Sequence, residues 1–515
     1  MKRWIAAIIA CACVAGMVGC DNNSKYSIKT DQTLTYWMGW SDIGSTAASS
    51  MQMTEFSKGL EERTGIKVEY IHPNKAGGLV GSFEVMISSN NLPDIIEMSW
   101  EGAPGGALKQ LNEQKIIDLS PLLEKYAPDY KGFLEEHDDA RQIAILDNGQ
   151  CPYFIGGYAE DYQTVFFGPF FRKDWLDELG LELPETIDEW EIALRAFKEQ
   201  KGAEAPLGIT PDALGINALI GAYGVQWRFY QDNGQVKFGP FEPGFRDFVE
   251  RMAKWYQEGL IDPMYPFVSY DIMEMNLFEG KTGAGFCYLG ADLGPWQKKI
   301  EEEQLQMRIT SVKNPSLKKG ETTQIAPRDP KYIKTYGAAV SAGCKSPQLA
   351  VQFLNYAYTE EGNRYFNFGE EGVSYTMQNG IPTYSALITD NPDMSMGTAL
   401  AMYTRTSYGG PFIKDAQYTI QYYRTDLQKE ALDKWGDNNA AQHILPQIEI
   451  SYENAEQLSQ NITKAIEYQN QTVTKFIIGE IPLSQYDQFV QTLRAYGMEE
   501  VIRAMQKSYD TIQKS

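Results

Sequence analysis

The side chains best equipped for chemistry in this sequence are aromatic and basic residues that follow apolar runs or glycine-rich loops. Trp40 and Trp100 stand in the loops Gly39-Trp40-Ser41-Asp42 and Ser99-Trp100-Glu101-Gly102. Trp227 and Arg228 follow the stretch Gly221 to Gly224, and Tyr288 follows the apolar run that ends near Phe286. Arg172 closes the aromatic run Phe166 to Phe171, and Arg405 and Tyr408 precede Gly409-Gly410-Pro411. Aromatic faces stack on flat C–H surfaces, and guanidinium forks bind paired oxygens. Such a set suits a ring-shaped, hydroxyl-rich ligand of the sugar type, with Asp42 and Glu101 as further acceptors. Each candidate has a plainer alternative: core packing for the tryptophans, a helix-start ion pair for Arg172, a surface loop for Arg405 and Tyr408, and solvated loop charge for Asp42 and Glu101. Trp37, inside its predicted strand, is read as core.

Bond-breaking machinery is hard to find. His72, His137 and His443 are scattered, and no nucleophile elbow, phosphate loop or metal-ligand spacing occurs. A glycosidase or polysaccharide lyase would need two carboxylates about 5 to 10 Å apart. The pairs Glu135-Glu136, Asp138-Asp139 and Glu370-Glu371 are adjacent in sequence, so on a helix they do not face each other, and among 68 acidic residues such neighbours are expected by chance. The reading is a binding protein with no catalytic residues, and a secreted glycosidase or lyase is the alternative. A net charge of −22 excludes nucleic acid as a partner, because phosphate binding needs a basic surface.

The elements that must hold these loops alternate. Leu34–Met38, Lys67–Ile71 and Asp94–Met98 read as strands, with helices predicted over Met51–Glu62 and Leu79–Ser89. This βαβαβ order implies parallel strands with a ligand crevice beyond their C-terminal ends, where Trp40 and Trp100 stand. Thr186 and Glu189 form a capping box ahead of Ile187, Trp190, Leu194 and Phe197 on one helical face. A second core stripe comprises Phe245, Phe248, Val249, Met252, Trp255 and Tyr256. Asp232-Asn233-Gly234 reads as a hairpin turn. Three cysteines beyond the N-terminus, Cys151, Cys287 and Cys344, allow at most one disulfide and suit small buried hydrophobes.

The N-terminus reads as an export signal over residues 1–19: Lys2 and Arg3, then an apolar run from Trp4 to Val18 that is short for a bilayer span. Met17-Val18-Gly19-Cys20 resembles a bacterial lipobox, with Met17 where Leu is usual, and implies acylation of Cys20 followed by a tether over residues 20–30. An ordinary signal peptide with chance cysteines is the alternative.

Several stretches together carry a family resemblance. Phe56-Ser-Lys-Gly-Leu-Glu-Glu-Arg-Thr-Gly-Ile-Lys-Val-Glu-Tyr70 with Leu92-Pro-Asp-Ile-Ile96, Leu277 to Phe286, and Ser346 to Leu354 followed by Thr359-Glu-Glu-Gly362 resemble family 1 extracellular solute-binding proteins, the group of maltose-binding protein. Arg172 to Leu181 with Pro184 to Trp190, and Phe366 to Gly372 with Tyr375-Thr-Met377, are similar to large Gram-positive lipoproteins of aldouronate and polysaccharide import. The resemblance implies an α/β, two-lobed periplasmic-binding-protein-like (type II) fold, with an interlobe ligand cleft and a multi-strand hinge. The lobes are expected over 31–160 with 333–412 and over 161–332 with 413–515. It also implies a monomeric, lipid-anchored receptor on the outer face of the cell membrane, or on the periplasmic face of an inner membrane. Such a receptor delivers an oligosaccharide to ABC permease subunits; a sensor feeding a membrane kinase keeps the same fold. An uronate-bearing sugar would call on Arg172, Arg228 and Arg405, and a neutral one on carboxylates and amides. Related large members carry a calcium loop after the helix ending near Lys198. Here Glu204 is the only carboxylate between Lys201 and Leu207, too few oxygens for calcium, so no cofactor or metal is expected.

Overall fold

The computed structural model describes residues 26–73, 78–89, 91–100, 103, 105–446 and 452–512; Cys20, the export segment and Glu101 lie outside them. Strands β1 (Thr33–Trp37), β2 (Lys67–Ile71) and β3 (Ile95–Met98) pair in parallel, with β1 between the other two, so the expected βαβαβ unit is present. The helix expected from Met51 starts later, over Glu55–Thr64, because Thr54 takes extended backbone angles and its hydroxyl accepts from the Ser57 N–H at 3.1 Å. That cap satisfies one of the helix's orphan donors and fixes its first turn. Met51–Met53 ahead of it form a short 3-10 turn.

Strand β4 (Phe154–Tyr158) leads out of this region to β5 (Phe167–Arg172), and β6 (Leu207–Gly208) follows the helix Ile187–Lys201. The hairpin β7 (Phe229–Asp232) and β8 (Gln235–Phe238) turns at Asn233 and Gly234, with φ of 50° and 81°, the left-handed pair that a two-residue turn requires. Then come β9 (Ala284–Tyr288), β10 (Ile309–Ser311), β11 (Tyr332–Val340), the hairpin β12 (Tyr375–Gln378) and β13 (Ile381–Tyr384), and β14 (Ile413–Lys414). One sheet runs β14-β4-β11-β3-β1-β2 and another β10-β5-β9-β6. Because β11 is antiparallel to β3 and β4, its start lies at the same end of the sheet as the C-termini of β1, β3 and β4.

Each sheet has its own apolar core. The first core draws on residues from Leu34 to Ile155 and from Tyr332 to Phe412, two others on residues between Val165 and Ile325 and between Ala431 and Val501, and a small fourth on residues between Phe368 and Leu400. The chain crosses between them three times: from β4 to β5, from β10 to β11, and after β14. The expected boundary at residue 412 falls just before β14, which still pairs with the first sheet. Past β14, the helix Asp426–Gly436 lays Trp435 on the second sheet, its indole N–H donating to the Pro169 carbonyl at 3.0 Å. Gly168 makes room for that ring, since a Cβ there would stand 2.2 Å from it.

Of the expected 20–30 tether, residues 26–30 lie among the described residues. Tyr26 packs on Tyr356 with ring centres 5.1 Å apart, and its hydroxyl donates to the Gln352 carbonyl at 2.6 Å. The Ile28 N–H donates to the Thr64 carbonyl at 2.8 Å. No described helix is long and apolar enough to cross a membrane.

Candidate functional site

The three crossings are bound to one another where they leave the first sheet. Gln163 Nε2 donates to the Asp415 carbonyl at 3.0 Å and to Thr419 Oγ1 at 2.8 Å, tying the first crossing to the third. The Asp329 N–H donates to the Thr164 carbonyl at 3.0 Å, tying the second to the first. Asn363 and Asn367 each donate to the Ile413 carbonyl at 2.9 Å, so helix Glu360–Phe368 grips the third. These bonds fix the exits of the crossings and leave their side chains to line the space between the sheets.

An aromatic rail occupies that space. The Tyr158 hydroxyl, at the end of β4, donates to Asp329 Oδ2 at 3.0 Å. Lys414 Nζ lies 5.8 Å from the Tyr158 ring centre and 5.7 Å from that of Tyr418. Tyr418 stacks on Tyr422 at 5.5 Å, one helical turn along, and Tyr422 lies 5.5 Å from Tyr423. Tyr422 in turn rests on Gly290, where a Cβ would come within 2.5 Å of its ring, and Gly290 is two residues beyond Tyr288 at the end of β9. Tyr336, 42% exposed, lies over Gly409, whose missing side chain admits it: a Cβ would be 2.0 Å from the ring. Asp329 also lines a cavity of about 290 Å³ with Ile143, Asp161, Thr164, Arg328 and Ile444.

Burial shifts the titratable groups of this space. Tyr418, Tyr422 and Tyr423 keep part of their surface open to solvent, yet surrounding protein raises all three phenol pKa values. Burial raises the Asp329 carboxyl, opposed by the Tyr158 hydrogen bond and the Lys414 charge, and burial lowers the Lys414 amine to about 8. Phenols here both donate and accept, the carboxylate accepts, and the amine donates. Flat faces beside such groups match a sugar's C–H faces and hydroxyls.

Asp292 lies under the Tyr288 end of the rail, its Oδ2 accepting from the Tyr288 N–H at 2.7 Å. Burial raises its pKa to about 6. A carboxyl with a raised folded pKa binds its proton more tightly when folded, so stability falls as pH rises from about 4, its unfolded value, to 6. Asp292→Asn keeps the acceptor without the charge. The variant should unfold at a higher temperature than wild type at pH 7.5, with the difference vanishing near pH 4; a pH-independent difference in melting scans would contradict the assignment.

The residues singled out in the sequence distribute unevenly. Tyr288 is half-buried at the rail's end, packed on Tyr270 at 5.2 Å. Trp40 is half-buried, stacked on His72 at 5.3 Å, with its indole N–H donating to the Ala48 carbonyl at 2.9 Å. The Arg228 side chain is exposed and makes no ion pair among the described residues. The others, Asp42 apart, are enclosed by the protein. Trp100 is fully buried, stacked on Tyr153 and donating to the Gly337 carbonyl at 2.8 Å, because β11 closes over the end of β3. Trp227 is buried against Phe245, its N–H donating to Asn470 Oδ1 at 3.0 Å. Arg172 is 8% exposed and grips Asp174 through Nε and Nη2 at 2.9 and 2.5 Å, the helix-start ion pair of the alternative reading. Arg405 is 3% exposed and its Nη2 donates to both Glu97 oxygens at 2.7 and 2.8 Å. Tyr408 is buried beneath that guanidinium, 4.4 Å from it, with its edge on Trp40. Asp42 stands in the first turn of the helix Asp42–Ala47, and Trp37 is core as expected.

Sequence reasoning missed Tyr158, Asp329, Tyr336, Lys414, Tyr418, Tyr422 and Tyr423. The spacing Tyr418, Tyr422, Tyr423 was the available signal, but it lies in the third crossing, which only the sheet pairing of β14 reveals. The acidic neighbours have surface partners: Lys131 lies 2.8 Å from Glu135, Arg141 2.9 Å from Asp138 and Arg63 2.5 Å from Glu370. Cys151, Cys287 and Cys344 are free thiols.

Comparison with known proteins bears on this geometry. Residues 45–364 match the family described as bacterial extracellular solute-binding protein. Lipoprotein LipO of Bacillus subtilis is 23% identical over 99% of this chain and 98% of its own. The fructooligosaccharide ABC transporter substrate-binding protein FusA of Streptococcus pneumoniae is 22% identical over 88% of this chain and 86% of its own. The crystal structure of alginate-binding protein AlgQ2 without calcium ion superposes with a TM-score of 0.77 at 22% identity, covering 93% of this chain and 99% of that one.

Proposed function

Because the chain belongs to the bacterial extracellular solute-binding protein family and has its two-lobed fold, we propose that it is a lipid-anchored receptor that binds an oligosaccharide between its lobes for an ABC permease. The observation that carries this reading is the tyrosine rail from Tyr158 to Tyr288, built where all three crossings leave the first sheet. A sugar that touches residues of both lobes stabilises the closed arrangement by its differential contacts, and the permease reads that arrangement. FusA's name supports an oligosaccharide, LipO's a lipoprotein. In this reading the first lobe comprises residues 26–158 and 332–414 and the second the remainder to 512. Cys20 carries the acyl chains on the outer face of the membrane. The receptor acts as a monomer and performs no catalysis.

Thermal shift and calorimetry against neutral and uronic oligosaccharides test the proposal. A ligand at about a hundredfold its Kd should add about 2.7 kcal/mol to folding stability. Release of new reducing ends from any of these glycans would overturn the receptor reading, as would the absence of binding across the panel.

We further propose that the receptor holds no resident calcium. The chain after the helix Ile187–Lys201 turns through Gly202 at φ 70°, with the Ala203 N–H donating to the Phe197 carbonyl at 3.1 Å and Lys201 paired with Glu178. Backbone bonds and an ion pair thus close the turn. Excess EDTA should leave both melting temperature and sugar affinity unchanged; a drop restored by added calcium would refute this.

A further inference from the structure

The charge carried by the rail narrows the class of its ligand, on the premise that the rail is the sugar site proposed above. A uronate needs a cation free to meet its carboxylate. Arg172 and Arg405 are not free, because Asp174 and Glu97 already hold their guanidinium groups in buried pairs. Arg328 and Lys331 turn to Asp161: Arg328 Nη2 donates to its carbonyl at 2.8 Å, and Lys331 Nζ lies 3.9 Å from its carboxylate. Among the described residues, Lys414 alone places a cation over the rail's rings, those of Tyr158 and Tyr418, and its Nζ has no hydrogen bond or ion pair.

That cation does not stand in a basic site. Asp329 meets the same Tyr158 side chain, its Oδ2 accepting from the hydroxyl at 3.0 Å and its Oδ1 accepting no bond among the described residues. At the other end of the rail Asp292 accepts from the Tyr288 N–H at 2.7 Å, and Asp212 stands in the first turn of the helix Pro211–Gly215. Burial raises the Tyr288 phenol, and the charges of Asp292, Asp212 and Asp329 add to that rise, so all three carboxylates act on one ring. Three carboxylates therefore accompany a single ammonium. An anionic sugar held here would bring like charges together where water screens them poorly. A hydroxyl donates and accepts at once, so adjacent hydroxyls suit Asp329 Oδ1 as acceptor and Lys414 Nζ as donor.

We propose that the rail selects an uncharged oligosaccharide and rejects a uronate-bearing one: Asp329 and Lys414 hold adjacent hydroxyls as an acceptor and donor pair, while Asp212 and Asp292 add to the repulsion of a carboxylate. Specificity then rests on groups set against the wrong ligand as well as on those set for the right one.

Calorimetry on the purified protein tests this with oligogalacturonides and glucuronic-acid oligomers beside their carboxyl-reduced forms, which keep every linkage and lose only the charge, and with neutral xylo-, malto- and fructo-oligosaccharides. Binding should be found among the uncharged probes, and any carboxyl-reduced probe that binds should do so about tenfold or more tightly than its uronate parent. Lys414→Met should raise the Kd of the bound neutral probe about tenfold, the loss expected of a hydrogen bond from a charged donor. Asp329→Asn, which keeps an acceptor for Tyr158 and removes the charge, should weaken the neutral probe and narrow its advantage over the uronate. Circular dichroism melts show which variants fold, and the wild-type comparison decides the charge selection without them. A uronate bound as tightly as its reduced form, or more tightly, overturns the selection and leaves the receptor reading in place. Neutral binding unchanged in both folded variants removes Asp329 and Lys414 from the site and overturns their assigned roles. No binding by any probe overturns the receptor reading and the selection together.

Discussion

Arg405→Met should destabilise the first lobe by about 3–5 kcal/mol, because it leaves Glu97 charged, buried and without its partner. Glu97 is 3% exposed; its Oε2 accepts from the Tyr36 hydroxyl at 2.6 Å, and the Arg405 guanidinium covers both of its oxygens. Burial raises the Glu97 pKa and the Arg405 charge opposes that rise. With the guanidinium gone, burial acts alone and lifts it further. Two results follow in urea unfolding followed by tryptophan fluorescence. The deficit should shrink as pH falls from 8 to 5, since a protonated Glu97 no longer needs a counter-charge. The double variant Arg405→Met, Glu97→Gln should lose much less than the single one. Additive losses at constant size across this pH range would show that the pair is incidental.

Tyr422→Ala should weaken sugar binding by about 2 kcal/mol, the loss expected of a central aromatic contact, which is roughly a thirtyfold rise in Kd. The ring is half-buried, stacked on Tyr418 and seated on Gly290, at the middle of the rail. Tyr422→Phe keeps the stacking face and should lose far less. Calorimetry with the best ligand from the oligosaccharide panel measures both. Trp100→Phe is the contrast: it removes the donor to Gly337 in a fully buried position and should lower stability while leaving affinity in place. Unchanged affinity in Tyr422→Ala, or lost affinity in Trp100→Phe at full folding, would move the ligand off the rail.

Much of the fold was legible because it rests on local rules. The βαβαβ unit, the Thr186 to Glu189 capping box, the hairpin at Asn233-Gly234 and the helix stripe from Phe245 to Trp255 each depend on periodicity, on a cap or on turn chemistry within a few residues. The start of the helix at Glu55 shows the limit of the same reasoning. Apolar periodicity continues back to Met51, and only the Thr54 cap, confirmed by its geometry, decides where the first turn begins.

The candidate site divides along the same line. By itself, the sequence determined that aromatic and cationic side chains follow apolar runs and glycine-rich loops, and that Cys20 follows an export-like segment. Tertiary structure alone decided which of those side chains stay reachable. Trp100 and Arg172 stand at strand ends, Trp227 and Arg405 in loops, and strands, helices or carboxylates enclose all four; partners of Trp100 and Arg405 lie more than two hundred residues away in the chain. The rail is assembled from β4, β9, β14 and the three crossings, so no local pattern contains it. A strand-end position is a property of a few consecutive residues, but exposure in a cleft depends on what distant segments bring beside it.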